Sequence, residues 1–594
     1  MKKFLLGLLA GIVFCLLSSF LLFFALVRFG NRPPSISGGS TLILNLGGSI
    51  PEKAPPELPL PFLEDQTPVT IPDLWQSLRK AAADPRIRAV VFEPGAVSAG
   101  WAKLEEIHAE LRQFRQSGKP LYAYLRAPGF REYYLATVAD RIYMAPEDSL
   151  DLKGLRLETV YVKETLDKLG LKMDVIHAGK YKDAGDMFTR TSMSLETREV
   201  LSQVLDQFYG DLVSTIASGR RMTPDAVRGW IDRGPLSGDQ AMAAGLIDRL
   251  SFPGDMKTDL EKRLGQNELT TVPFHRYSRV PASTVAGLEG PNRIALIAAE
   301  GMIVRGRGDG GFSDGLLTSG AFESVLRDVG EDPSVKGVIL RVDSPGGDGV
   351  ASDEMLNAAR LLSKKKPLVI SMSDYAASGG YYISMTGDPI VAYPNTITGS
   401  IGVVYSRLSA QGLYGKLGIQ KDSIQRGRFA GLDSDYAALS AGEHDKISSE
   451  IDRFYQAFIQ RVASGRKRPA EAIEPLAQGR VWLGSQAKQN GLVNELGGLD
   501  RAVEILKRRA GIQASAKITL IAYPARKSIL AMLFNHAEDS PLADAEVRQL
   551  FAFVPGGAAG ARLLPPEAAA IESAARLWRQ GGILDVMPYM FQVR

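Results

Sequence analysis

An α/β protein built by tandem duplication, with largely parallel sheets, is the fold class that this 594-residue sequence predicts. Two observations carry that expectation. Short apolar β runs alternate with amphipathic helical stretches, and residues of the first half recur, in order, in the second. A third observation, an apolar run at the N-terminus, predicts one transmembrane helix ahead of the repeats.

Met1-Lys-Lys precedes Phe4–Val27, 24 residues without a charge, which is long enough to span a bilayer with some tilt. A cleaved leader, the alternative, calls for a shorter apolar region of about 7–15 residues and a small-residue cleavage site. Lys2 and Lys3 favour an N-terminus held inside, although Arg28 and Arg32 reduce the charge bias. The anchor is therefore placed at residues 1–30, with the bulk of the chain beyond the membrane. The proline-rich stretch 50–72 is expected to be an exposed loop.

The duplication is read from matched residues. Asp84-Pro85 and the β run Ile87–Phe92 return as Asp332-Pro333 and Val335–Leu340, a displacement of 248 residues. The same displacement takes Tyr133-Tyr134 to Tyr381-Tyr382, Asp140 to Asp388, Pro146 to Pro394 and Lys168-Leu-Gly to Lys416-Leu-Gly. Further on, Ala217-Ser-Gly-Arg pairs with Ala463-Ser-Gly-Arg and Gly245-Leu246 with Gly491-Leu492, now 246 apart. The expected units are a first repeat at 40–274, a linker at 275–291, a second repeat at 292–523 and an unassigned tail at 524–594.

Within the second repeat, Val338–Val342 and Leu368–Met372 read as strands, with a helix near Ser352–Ser363 between them. Ile447, Ile451, Phe454, Phe458 and Val462 form one apolar stripe on a helix over 444–463.

Composition narrows the function. An apolar share of 45% and a charged share of 23% suit a folded globular protein. A net charge of +4 supplies no strongly basic character, so no nucleic-acid partner is expected. The single cysteine, Cys15, lies in the apolar run, which leaves no intrachain disulfide and no cysteine metal site. No His/Asp/Glu grouping has metal-ligand spacing, and neither metal nor cofactor is expected. Gly306-Arg-Gly-Asp-Gly-Gly fits a dinucleotide fingerprint, but the next helix starts only near Ser319, so it reads as a loop.

Two glycine-rich turns carry the chemistry. Asp343-Ser-Pro-Gly-Gly follows one strand, and Ala376-Ala-Ser-Gly-Gly follows another and leads into a helix at Tyr381–Met385. A serine on a strand-to-helix turn is presented for attack, and the glycines let a carbonyl approach backbone N–H groups. None of the five histidines lies in a motif beside these turns. The duplication offers another base. Ser378 corresponds to Phe130, and Lys182, in Gly179-Lys-Tyr-Lys-Asp-Ala-Gly, corresponds to Ala430. One half keeps the lysine and the other keeps the serine, as expected if the dyad now forms across them.

The motifs SPGG, AASGGYYIS, TGSIGV and GKYKDAG, in this order behind an anchor, resemble the long, duplicated form of the bacterial signal peptide peptidase family, protease IV. The resemblance spans both halves. It implies a domain related to crotonases and Clp-type proteases, and a Ser–Lys dyad that degrades leader-peptide remnants and other short apolar peptides. By position Ser378 matches the nucleophile and Lys182 the general base, while Lys180 does not match. The oxyanion donors fall on Gly347 and Gly379, and Ser400, in Thr398-Gly-Ser-Ile-Gly, matches a serine that orients the lysine. The resemblance also implies a homo-oligomer, a tetramer, on the bacterial inner membrane with its catalytic domain periplasmic. Two other functions use similar turns: a crotonase-like acyl-CoA thioester enzyme and an inert peptide-binding scaffold.

Overall fold

The same strand order is built twice. In the computed structural model, which describes residues 34–54, 67–285, 287–306 and 315–524, scattered positions before residue 19 and the strands Ile583–Val586 and Gln592–Val593, the first half forms a six-stranded parallel sheet. Its order is Thr271–Pro273, Ser40–Ser49, Ile87–Ser98, Leu121–Leu125, Arg141–Met144 and Arg249–Leu250. The second half repeats that order with Ile518–Tyr523, Asn292–Glu300, Val335–Ser344, Leu368–Ala377, Ile390–Ala392 and Glu495–Leu496, again all parallel. A small antiparallel pair recurs too, as Ser149–Leu150 with Leu236–Ser237 and as Ile397–Gly399 with Val481–Leu483. The α/β duplication expected from the sequence is present at the level of topology.

The long helices show why the copies fold alike. Leu195–Arg220 and Ala441–Arg466 each run 26 residues and open on a serine, Ser194 or Ser440, whose side chain accepts an N–H of the first turn. Each ends where a basic residue, Arg221 or Lys467, turns left-handed. The periodic stripe on the second helix is buried at Ile447, Ile451, Phe458 and Val462. The strand predicted at Leu368–Met372 runs on to Ala377, and the helix between strands covers Gly349–Lys365. The expected linker contains a short helix, Phe274–Ser278, and a 3-10 turn, Ala282–Thr284.

Alternation along the second sheet ties the halves together. Ile294, Leu296, Ile339 and Val369 enter a core shared with first-half residues such as Leu74, Leu78, Leu104 and Leu111. Their neighbours Ala295, Ile297, Val338, Leu340 and Ile370 enter a core beneath the second half's own helices. Side chains of successive strand residues point to opposite faces, so one sheet serves both cores.

Beside the shared core lies a buried charge cluster. Arg341 donates to Glu52 at 2.9 Å, to Glu106, to Ser371 at 3.0 Å and to Ser373 at 3.1 Å. Burial works against the charge of Glu52, yet Arg341 and Lys103 outweigh it and hold that carboxyl below its ordinary range. Lys103 pairs with Asp343 at 2.7 Å, and Asp374 accepts the Gly100 and Lys103 N–H groups at 2.8 and 2.9 Å. Glu52 corrects the sequence reading: it sits in the proline-rich stretch expected to be exposed, and it is 3% exposed. Its burial depends on a partner 289 residues away, which no local pattern reports.

Residues 55–66 of that stretch, most of Phe4–Val27 and most of the loop after Gly306 lie outside the described residues. Among the described residues no helix is long and apolar enough to cross a membrane.

The charge cluster makes a prediction. Arg341→Met should cost about 3–5 kcal/mol in urea unfolding, because two buried carboxylates lose their partner. Adding Glu52→Gln and Glu106→Gln should recover most of that loss. A cost below about 1 kcal/mol for the single substitution would rule out this network as a tie between the halves.

Candidate active site

The nucleophile candidate sits where a buried strand turns into a helix. Leu368–Ala377 runs into Ser378, and the helix Gly379–Ile383 follows at once. Ser378 adopts φ 55° and ψ −116°, a conformation that costs a non-glycine residue about 1–3 kcal/mol. Two hydrogen bonds hold it there: its N–H donates to Gly399 O at 2.8 Å, and its carbonyl accepts the Tyr382 N–H at 2.8 Å. Strain held in place this way presents the hydroxyl instead of tucking it into the helix.

The second glycine turn lies alongside, with Ser344 in register with Ala376. Here Gly346–Asp348 forms a short strand beside Ile303. A Cβ at Gly347 would lie 1.9 Å from Ile303 O, so only glycine permits that approach. Of the two expected oxyanion donors, Gly379 follows Ser378 at the start of the helix and Gly347 lies in the strand Gly346–Asp348 of the second turn.

Lys182 reaches this place from the other half. The strand Lys172–Ala178 leaves the first half and pairs antiparallel with Val403–Ser409 of the second, from Ala178 opposite Val403 to Lys172 opposite Ser409. The chain then turns, with the Tyr181 N–H on Gln478 O at 2.8 Å. The amine of Lys182 lies 2.6 Å from Ser378 Oγ and contacts Ser400 O at 3.1 Å and Ser400 Oγ at 3.0 Å. Lys182, Ser378 and Ser400 are each 0% exposed. Ser400 is itself left-handed, φ 52°, with its N–H on Arg480 O at 2.8 Å.

Lys180, two residues earlier, is exposed and lies over the Tyr181 ring at 4.6 Å. Three of the four described histidines make contacts elsewhere: His108 with Thr137, His177 with Gly179 O and His444 with Ser448. Burial, helped by Arg112, pushes the His108 imidazole down to about 4. At the positions related by duplication, Phe130 stacks on Trp101 at 5.8 Å, and Ala430 lies in a turn closed by Gly427 O.

One positioning residue escaped the sequence reading. Gly479, at φ +74°, passes so close to Lys182 that a Cβ there would lie 2.5 Å from the lysine Cβ. Its N–H is bonded to Ile401 O at 2.7 Å. Gln478-Gly479-Arg480 reads as an ordinary loop, and the repeat gives no signal either, because the residue 246 positions before Gly479 is Arg233.

The model of peptidase family S49 matches the chain twice, over residues 113–267 and 360–513, once in each half. The chloroplastic serine protease SPPA of Arabidopsis thaliana is 35% identical over 81% of this chain and 71% of its own. Protease 4 of Haemophilus influenzae is 31% identical over 81% of this chain and 82% of its own. Protease 4 of Salmonella typhi is 34% identical over 73% of this chain and 70% of its own. With a matching domain in each half and relatives aligned along most of its length, the chain belongs to peptidase family S49 and is a serine peptidase.

Proposed function

We propose that this chain is a membrane-anchored endopeptidase with a Ser–Lys dyad, acting on signal-peptide remnants and other short apolar peptides. The observation that carries the reading is the 2.6 Å contact between Lys182 Nζ and Ser378 Oγ, made across the duplicated halves. In this mechanism Ser378 Oγ attacks the scissile carbonyl as the neutral Lys182 amine takes its proton. The N–H groups of Gly347 and Gly379 stabilise the oxyanion, an effect worth about 3–4 kcal/mol for each donor. Lys182 returns the proton to the leaving amine, and water, deprotonated by the same amine, releases the acyl group. Ser400 holds the amine on line with Oγ through its 3.0 Å contact.

A base must be neutral to act, and burial penalises the ammonium form of a lysine. The rate should therefore rise with pH as the amine loses its proton, and fall on the acid side.

Location and assembly belong to the same proposal. The apolar run Phe4–Val27 anchors the chain in a bacterial inner membrane, with repeats of crotonase and Clp-protease type at 40–274 and 292–523 on the periplasmic side. The chain works as a homo-oligomer, a tetramer, and the duplication supports an association between copies. Lys172–Ala178 pairs with Val403–Ser409 inside the chain. Displaced by 248 residues, their counterparts are residues 420–426 and the neighbourhood of Leu157–Glu158. Residues 420–426 are exposed and form no strand, with Ile424 89% exposed. A head-to-tail contact that reuses the internal pairing closes into a ring when its rotation permits.

Cleavage of an apolar leader-type peptide, followed across pH 6–10, tests the dyad. Ser378→Ala and Lys182→Ala should each lower kcat/KM by at least about 10³-fold, whereas Lys180→Ala should stay within about threefold of the unaltered chain. Full activity in Lys182→Ala would place the base elsewhere. Gly479→Ala should lower kcat by about 100-fold with little change in KM, because a shift of about 1 Å in Lys182 spoils its line to Oγ. An unchanged kcat in that variant would remove Gly479 from the positioning of the lysine.

A further inference from the structure

Lys182 and Ser400 stand on separate turns, and one side chain lies across both. The turn that carries the lysine belongs to the first half, and Thr398-Gly-Ser-Ile, which carries the serine holding its amine, belongs to the second. Arg480 meets each of them. Its carbonyl accepts the Ser400 N–H at 2.8 Å. Its guanidinium lies over the ring of Tyr181, the residue before Lys182, at 4.9 Å and over the ring of Trp482 at 4.7 Å.

The same guanidinium is fixed from outside both turns. Nη1 donates to Glu199 Oε1 at 2.8 Å and Nη2 donates to Gln203 Oε1 at 3.0 Å. Glu199 and Gln203 sit four residues apart on the first-half helix Leu195–Arg220, so they share a face. Gln207, one turn further on, donates to Pro394 O at 2.8 Å and accepts from Ser485 Oγ at 2.7 Å, which docks the same face on the second half. The helix is itself held in the core by Val200, Val204 and Phe208, so the two oxygens offered to Arg480 have a firm base. Two ring faces and two oxygens suit a planar, forked cation, whereas an ammonium is a point charge that cannot meet them all.

The duplication sets this arrangement apart. At the displacements of 246 and 248 residues, Arg480 corresponds to Gly234, Tyr181 to Phe429, Glu199 to Asp445 and Gln203 to Ser449. The reciprocal set lacks the arginine, and it also lacks the lysine and the serine of the dyad. We propose that Arg480 is a positioning residue of the dyad: anchored on Glu199 and Gln203, its guanidinium holds the turn of Lys182 against the turn of Ser400 and so keeps the amine on line with Ser378 Oγ. The inference rests on the Ser–Lys reading and deepens it. Arg480 acts through the two turns and takes no part in the proton transfer itself.

In the full chain, Arg480→Met keeps an apolar stem between the rings and removes the fork. It should lower kcat for an apolar reporter peptide at least about tenfold with KM held within about twofold, since a misplacement of about 1 Å suffices for such a loss. Arg480→Lys should recover only part of it. Glu199→Ala with Gln203→Ala leaves the arginine in place without its anchor and should repeat the loss; this pair serves if Arg480→Met does not fold. Methylguanidinium added to Arg480→Ala should restore part of kcat, a gain that a merely weakened fold would not show. The pH midpoint of kcat should stay within about half a unit of the unaltered chain, because geometry and not the charge of the amine has changed. A raised midpoint with full kcat at high pH would overturn the positioning role and make the arginine an electrostatic partner of Lys182.

A second arm does not depend on catalysis. Deuterium uptake at residues 179–183 and 399–402 should rise in Arg480→Met, because both turns lose a common support. If kcat in Arg480→Met and in the Glu199/Gln203 pair stays within about twofold while Lys182→Ala and Ser378→Ala are inactive, the dyad stands and this proposal falls. Unchanged uptake at both turns overturns it as well. If Lys182→Ala keeps full activity while uptake still rises in Arg480→Met, the dyad reading fails and the clamp between the turns stands.

Discussion

The antiparallel pairing of Lys172–Ala178 with Val403–Ser409 is the constraint on which the site depends. Seven residue pairs fix its register, and a slip by one residue would send every side chain of the strand to the opposite face. Lys182 lies four residues beyond the last pair, within a turn pinned by Gln478 O and crowded by Gly479. The backbone of Lys182 is therefore set by a β ladder and two backbone contacts, and Ser400 holds the amine at the end of its side chain. Such preorganisation is what proximity catalysis demands.

A ladder between halves holds only while the halves hold. The shared core achieves this by using both faces of the second sheet, so that Ile339 packs toward the first half while Val338 and Leu340 pack away from it. The charge cluster at Arg341 adds direction to that apolar contact. Burying a guanidinium with Glu52 and Glu106 gains little net stability over an apolar alternative, yet a wrong alignment would strand three charges. The apolar contact supplies most of the attraction, and the charges penalise a misplaced docking.

Much of this was legible in the sequence because duplication leaves two readings of each element. The strand–turn–helix at Ser378 follows from a β run meeting Ser-Gly-Gly, and the pairing of Lys182 with Ser378 follows from Phe130 and Ala430 at the related positions. What stayed hidden depends on distant partners. Glu52 looked like loop because its carboxylate is matched by Arg341, and residues 583–586 carry no mark of the two strand edges they join. Gly479 looked like any loop glycine, since the lysine it must clear lies 297 positions earlier. Local periodicity reports which face a residue shows, and it is silent on which distant segment meets that face.

The two halves differ at the positions that the duplication relates. At Ser378 the second half has a strained backbone, a buried amine and glycine-lined turns, each a cost to folding. At the related place in the first half, Phe130 stacks on Trp101 at 5.8 Å, and Trp101 stacks in turn on Phe208 at 4.9 Å. Aromatic pairs of this kind add about 0.5–1.5 kcal/mol each beyond the area they bury. Where the second half has Ser378, the first half thus has aromatic packing, close to the boundary where Gly100 and Lys103 meet Asp374.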